Sequence, residues 1–236
     1  MGKKVLGILG GMGPDATCYF FNRVIRLTGA KSDSDHIEIV IHNNTKVPDR
    51  TRAILAGGES PVGELVRSAK LLENAGADVI AIPCITAHNF VDQVASETRI
   101  PILHAIRETV SFLRRSHPLI RRVGVLSTTG TFQTLLFQNV LACSGFEHMA
   151  LTLDIQEKYV MEAIYASNGI KAGFLEGESR AKLLHAAGLL IAQGADAIIA
   201  GCTEIPLAIR QEDFTLPFID PMEGLAFRSI EECRGR

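Results

Sequence analysis

The chain carries almost no net charge: 24 Lys and Arg stand against 26 Asp and Glu, a formal charge of −2. That balance leaves no electrostatic footprint for nucleic acid. Small basic clusters such as Arg114-Arg115 and Arg121-Arg122 suit solvated helix ends. No apolar run approaches the ~20 residues that a membrane-spanning helix needs. Lys3-Lys4 before an apolar stretch faintly resembles a secretory signal, but Gly10-Gly11-Met12-Gly13-Pro14 cuts the stretch short. The five cysteines (Cys18, Cys84, Cys143, Cys202 and Cys233) are odd in number and widely spaced, with no Cys-x-x-Cys. That pattern argues against a disulfide framework or zinc ribbon and for reduced thiols in a cytoplasm. Low-complexity segments and a Ser- or Pro-rich linker are also lacking. A globular cytoplasmic protein is expected, without nucleic-acid or membrane partners.

What the chain does have is an internal copy. Gly76-Ala77-Asp78-Val79-Ile80-Ala81-Ile82-Pro83-Cys84 answers to Gly194-Ala195-Asp196-Ala197-Ile198-Ile199-Ala200-Gly201-Cys202 at an offset of 118, half of the 236 residues. Val5–Leu9 answers to Arg122–Leu126 at 117, and Ile100–His104 to Leu216–Asp220 at 116. Gly-Ala-Asp before an apolar run is common in α/β proteins, but the other two segments keep step in the same order. A duplicated fold can bring duplicated thiols together across a pseudo-two-fold. A matched acid/base pair on opposite sides of one carbon is what a racemase needs.

Apolar runs and turn residues predict strands over 5–9, 37–42, 78–82, 100–103, 123–126, 147–153, 197–200 and 218–220. Helices are expected over 14–27, 61–75, 86–98, from the 123–126 strand to about 144, 156–165 and 178–193, with a helical C-terminal segment. Strands alternating with helices imply parallel sheets. The fold class is therefore α/β, with two pseudo-symmetric lobes and an active site in the cleft between them. The expected division is 1–104 plus 213–236 for one lobe and 105–212 for the other.

In such sheets ligands gather at the carboxyl ends of strands. The Gly10–Gly13 turn, Cys84, Ser127–Thr131 and Cys202 all fall there. Free backbone N–H groups at the strand-to-helix junction would lower a thiol pKa, and burial would raise it. Thr86 and Thr203 suit either helix capping or a hydrogen bond to a substrate carboxylate. His88 pairs with Cys84 at a spacing of four, yet no second His/Cys cluster completes a tetrahedral site, so no metal is expected. Glu204 suits a cap or a supporting role behind Cys202. The glycine turn fits neither a Walker loop nor Gly-x-Gly-x-x-Gly. Arg50, in the Val47-Pro48-Asp49-Arg50 loop, suits either a bidentate carboxylate clamp or a structural Asp–Arg pair.

Taken together, Gly10-Gly11-Met12-Gly13-Pro14, Asn43-Asn44 through Pro48-Asp49-Arg50-Thr51, Pro83-Cys84-Ile85-Thr86-Ala87-His88, Ile170-Lys171-Ala172-Gly173 and Gly201-Cys202-Thr203-Glu204-Ile205 resemble the aspartate/glutamate racemase family. Within it they look most like aspartate racemases and their broader amino-acid racemase relatives. The resemblance implies catalysis without pyridoxal phosphate or any other cofactor, commonly in a homodimer, with Cys84 and Cys202 as the two acid/base residues. It implies that Asp49, Arg50 and Lys171 bind or orient the substrate and that Thr86 and Thr203 contact its carboxylate or lie just behind. Thr128 matches a family Thr-x-Gly-Thr element, and Met12 lines the pocket. Ile85 departs from the family, which usually has Asn after the first catalytic Cys. The expected reaction is racemization of an acidic amino acid, aspartate first among the candidates. The alternatives are a glutamate or broad-specificity racemase and a catalytically idle amino-acid-binding protein.

Overall fold

The computed structural model describes residues 3–235. The chain divides into two compact units, one of Met1–Glu108 with Met222–Arg236 and one of Thr109–Pro221. The first contains β1 (Leu6–Gly10), α1 (Pro14–Thr28), β2 (Ile39–Asn43), α2 (Arg50–Leu55), α3 (Val62–Asn74), β3 (Val79–Ala81), α4 (Val91–Ala95) and β4 (Ile102–Leu103). Helix α5 (Ala105–Ser116) spans the first break. The second unit contains β5 (Arg122–Ser127), α6 (Thr129–Gln133), α7 (Leu136–Cys143), β6 (Glu147–Met149), α8 (Leu153–Ile155), α9 (Glu162–Tyr165), α10 (Glu178–Ala192), β7 (Ala197–Gly201), α11 (Ile205–Ala208) and β8 (Phe218–Ile219). Helix α12 (Pro221–Arg234) begins at the second break and closes the first unit.

Each unit holds one four-stranded parallel sheet, and the two sheets have the same order: β2-β1-β3-β4 and β6-β5-β7-β8. The duplication extends to register. Leu6 pairs with Val79 and Ile80 with Ile102; the matching residues Val123 and Ala197, then Ile198 and Phe218, pair in the same way.

The repeated Gly-Ala-Asp has a physical cause. Gly76 and Gly194 follow α3 and α10 with left-handed φ of 90° and 99°. The next amides reach back five residues, Ala77 N–H to Leu72 O and Ala195 N–H to Leu190 O, both at 3.0 Å. These are Schellman closures, which need glycine at the left-handed position. The Asp then pins the neighbouring strand. Asp78 Oδ2 accepts from Val5 N–H at 2.7 Å, and Asp196 Oδ2 from Arg122 N–H at 2.8 Å. So one tripeptide ends a helix, buries its Ala against the core and sets the register of the central strand.

Three expected elements differ. The 147–153 strand is only β6, because this edge strand pairs with β5 through Glu147, His148 and Met149 alone and the chain turns helical at Leu153. The helix after β5 breaks at Leu135, a left-handed residue with φ 58°. The 86–98 helix starts as a 3₁₀ segment, Thr86–Phe90, before α4. No described helix is long and apolar enough to cross a membrane.

Candidate active site

In the first unit the glycine turn after β1 is held from two sides. Gly11 has φ +96°, and a Cβ there would lie 2.3 Å from the Asn44 backbone, so only glycine fits. The Thr17 hydroxyl accepts from Gly11 N–H and donates to Gly13 O, both at 2.9 Å. Arg50 is buried and donates to the carbonyls of Val47 (3.3 Å), Pro48 (3.0 Å) and Met12 (3.3 Å). Its planar fork therefore ties the Pro48 loop to the glycine turn. Asp49 caps α2 by accepting from Arg52 N–H at 2.8 Å. Met12 and Cys84 are buried in one apolar cluster with Leu9, Val47 and Ile82.

Cys84 follows β3 and is held by His88. The buried His88 places Nδ1 2.9 Å from Cys84 O, and its Nε2 accepts from Ala105 N–H at 3.0 Å. Those two contacts fix a neutral ring with the proton on Nδ1. Burial, with His104 nearby, pushes His88 down to about 4 from an ordinary 6.5. Both ring nitrogens are thus committed to backbone. Among the described residues no group of three or more His, Cys, Asp or Glu could hold a metal ion. Thr86 is buried at the start of the 3₁₀ segment, and Ile85 is 1% exposed.

In the second unit Ser127 and Gly201 are register partners at the carboxyl ends of β5 and β7. Thr128 and Cys202 therefore leave adjacent strands at one level. The Thr128 hydroxyl caps α6, accepting from Thr131 N–H at 3.3 Å. Cys202 is buried, and its thiol donates to Glu204 Oε2 at 3.0 Å. Thr203 donates to the same oxygen at 3.2 Å. Lys171, on a 3₁₀ turn over Ile170–Ala172, donates to the other oxygen, Oε1, at 2.6 Å. Lys171, Cys202 and Thr203 thus converge on one carboxylate. Burial first, and then the Glu204 charge, push the Cys202 thiol well above its ordinary value, while Lys171 pulls the other way. At Cys202 burial therefore outweighs the Lys171 charge and the backbone hydrogen bond from Glu204, both of which lower the thiol.

The sequence model of the family described as Asp/Glu/Hydantoin racemase matches residues 9–226. The chain belongs to that family. This racemase-family chain is 31% identical over 230 residues to the broad specificity amino-acid racemase RacX of Bacillus subtilis, covering 96% of each. Among solved structures it is similar to a Picrophilus torridus aspartate racemase, at 29% identity and a TM-score of 0.85, over 98% of this chain and 94% of that one. An aspartate racemase homologue from Pyrococcus horikoshii OT3 is 25% identical, with a TM-score of 0.76, over 98% and 99%. The α/β architecture of two parallel sheets matches these racemase structures.

Two residues gain a part that the sequence left open. Glu204 is the hub of its cluster; its signal was a carboxylate two residues after Cys202 in an otherwise apolar stretch. His88 locks the backbone of Cys84; its only signal was helical spacing, which metal pairs and structural contacts share.

Proposed function

We propose that this family member racemizes an amino acid without a cofactor, using Cys84 and Cys202 as opposed acid and base, with aspartate as the first substrate to test. The observation that carries the reading is the pairing of these thiols. They follow β3 and β7, the equivalent strands of two sheets with the same order and register. One thiolate removes the α-proton from one face, and the other thiol returns a proton to the opposite face. The roles exchange for the other enantiomer. An α-carbon beside a carboxylate is a poor acid, so oriented donors must stabilise the charge that develops. Positioned proton transfer alone supplies only ~10²–10⁴-fold. Arg50, Lys171 and the Thr86 and Thr203 hydroxyls are the candidates for that binding work, with Met12, Asp49 and Thr128 around them. The reading includes a homodimer.

A second reading widens the substrate range. Ile85 stands where the family usually has a polar Asn, and it offers apolar contact only. That agrees with the broad specificity in the name of the Bacillus subtilis relative. Chiral analysis of an amino-acid panel incubated with the protein and no added cofactor separates the two. Inversion of aspartate alone supports the first, and comparable inversion of neutral amino acids supports the second. No inversion of any member contradicts both.

A further inference from the structure

Glu204 is a buried carboxylate whose two oxygens face in different directions, one to a cation and one to a thiol. We propose that Glu204 is a positioning residue that, balanced by Lys171, keeps the resting proton on Cys202 and makes its thiolate a stronger base; this rests on the two-cysteine reading. The geometry gives the reason. Cys202 Sγ lies 3.0 Å from Oε2 and Lys171 Nζ lies 2.6 Å from Oε1. The Thr203 hydroxyl shares Oε2, which fixes the carboxylate's rotation. Lys171 also lies 5.5 Å from the centroid of the Tyr165 ring. The charged groups that bear on the thiol are Glu204 and Lys171, and the Tyr165 ring lies against the lysine.

The proton balance follows. When Cys202 acts as base, the substrate C–H bond breaks, an S–H bond forms, and the new thiol donates to Glu204 Oε2. When Cys202 acts as acid, the S–H bond breaks, a C–H bond forms, and a thiolate is left 3.0 Å from a carboxylate. That second arrangement sets two anions side by side, and the Lys171 cation partly offsets them. The cluster thus favours the protonated thiol and drives the thiolate to take a proton from a weak carbon acid. This asymmetry cannot appear in kcat/KM. A racemization has an equilibrium constant of unity, so kcat/KM must be equal in the two directions. It appears in the titration of the thiol itself.

The test is therefore a titration without substrate. Iodoacetamide alkylation of Cys202 is followed peptide by peptide by mass spectrometry across pH, in the parent, Glu204→Gln and Lys171→Met, with the exposed Cys18 as the reagent reference. Glu204→Gln should move the Cys202 midpoint down by about one pH unit or more, a tenfold gain in thiolate at fixed pH. Lys171→Met should move it up. A Cys202 midpoint unmoved or raised in Glu204→Gln overturns the proposal. If circular dichroism shows that Glu204→Gln is misfolded, the Lys171→Met shift decides alone, and no upward movement overturns it. Turnover of Cys202→Ser is measured in parallel. Racemization at the parent rate there would sink the two-cysteine reading itself, whatever the titration shows.

Discussion

Replacing His88 with asparagine tests how the Cys84 segment is held. Asparagine can still donate to Cys84 O, but it cannot reach Ala105, whose N–H lies 3.0 Å from His88 Nε2. A buried N–H left without its acceptor costs about 1–3 kcal/mol, so the variant should be about 2 kcal/mol less stable near neutral pH. The pH dependence makes the test sharp. The folded protein holds His88 at about 4, below the ordinary 6.5. The unfolded chain therefore binds this proton first as pH falls. The contribution is complete above about pH 6.5, and it is lost at up to ~1.4 kcal/mol per pH unit down to about pH 4, about 3 kcal/mol in all. The variant lacks this contribution, so the two stabilities should converge and cross at about pH 5. Other histidines pushed down by burial, His42, His104 and His148, titrate in both proteins and largely cancel. The chain has no Trp, so urea unfolding is followed by far-ultraviolet circular dichroism. A stability gap that stays constant from pH 7.5 to about pH 4.5 would refute the buried neutral His88.

Arg50→Lys keeps the charge but cannot reach the carbonyls of Val47, Pro48 and Met12 together. It should lower kcat/KM by about tenfold or more, the size of one charged hydrogen bond (~1.5–3 kcal/mol); parent kinetics would show that the tie does not matter for turnover. Gly124→Ala puts a Cβ 2.8 Å from Ile198 Cδ1 and 3.1 Å from Leu190 Cβ, where α10 crosses the sheet. It should destabilise by about 1–3 kcal/mol, read from the urea midpoint, and an unmoved midpoint would mean that the helix can shift away freely.

Much of the fold was legible because the same physics was written twice. The two Gly-Ala-Asp runs close two helices and pin two central strands, so their spacing marks a duplicated architecture. Continuous apolar runs such as Val79–Ala81 and Ala197–Gly201 marked strands covered on both faces. The 147–153 stretch misled because its large apolar residues, Met149, Leu151 and Leu153, fall at every second position, whereas pairing at a sheet edge depends on the partner strand. The break at Leu135 left no residue signal, since leucine rarely adopts a left-handed φ. The sequence singled out Cys202 but left open the sign of its pKa shift, because the balance of burial, Glu204 and strand-end dipoles depends on packing. Arg50 kept both its readings in sequence; the carbonyls of Val47, Pro48 and Met12 are among its partners, because the Pro48 loop folds around its guanidinium.

The most direct test of the two-base account is deuterium exchange in the single serine variants. A serine hydroxyl is nearly isosteric with the thiol but far less acidic, so it cannot act as the base and is a poor proton donor. Cys84→Ser and Cys202→Ser are incubated with each enantiomer of the substrate in heavy water. Inversion is followed by chiral chromatography and labelling by mass spectrometry. Each variant should lose inversion in both directions yet exchange the α-proton of a single enantiomer, and the two variants should label opposite enantiomers. Inversion at the parent rate in either variant, or labelling of the same enantiomer by both, would contradict the assignment of Cys84 and Cys202 as opposed bases.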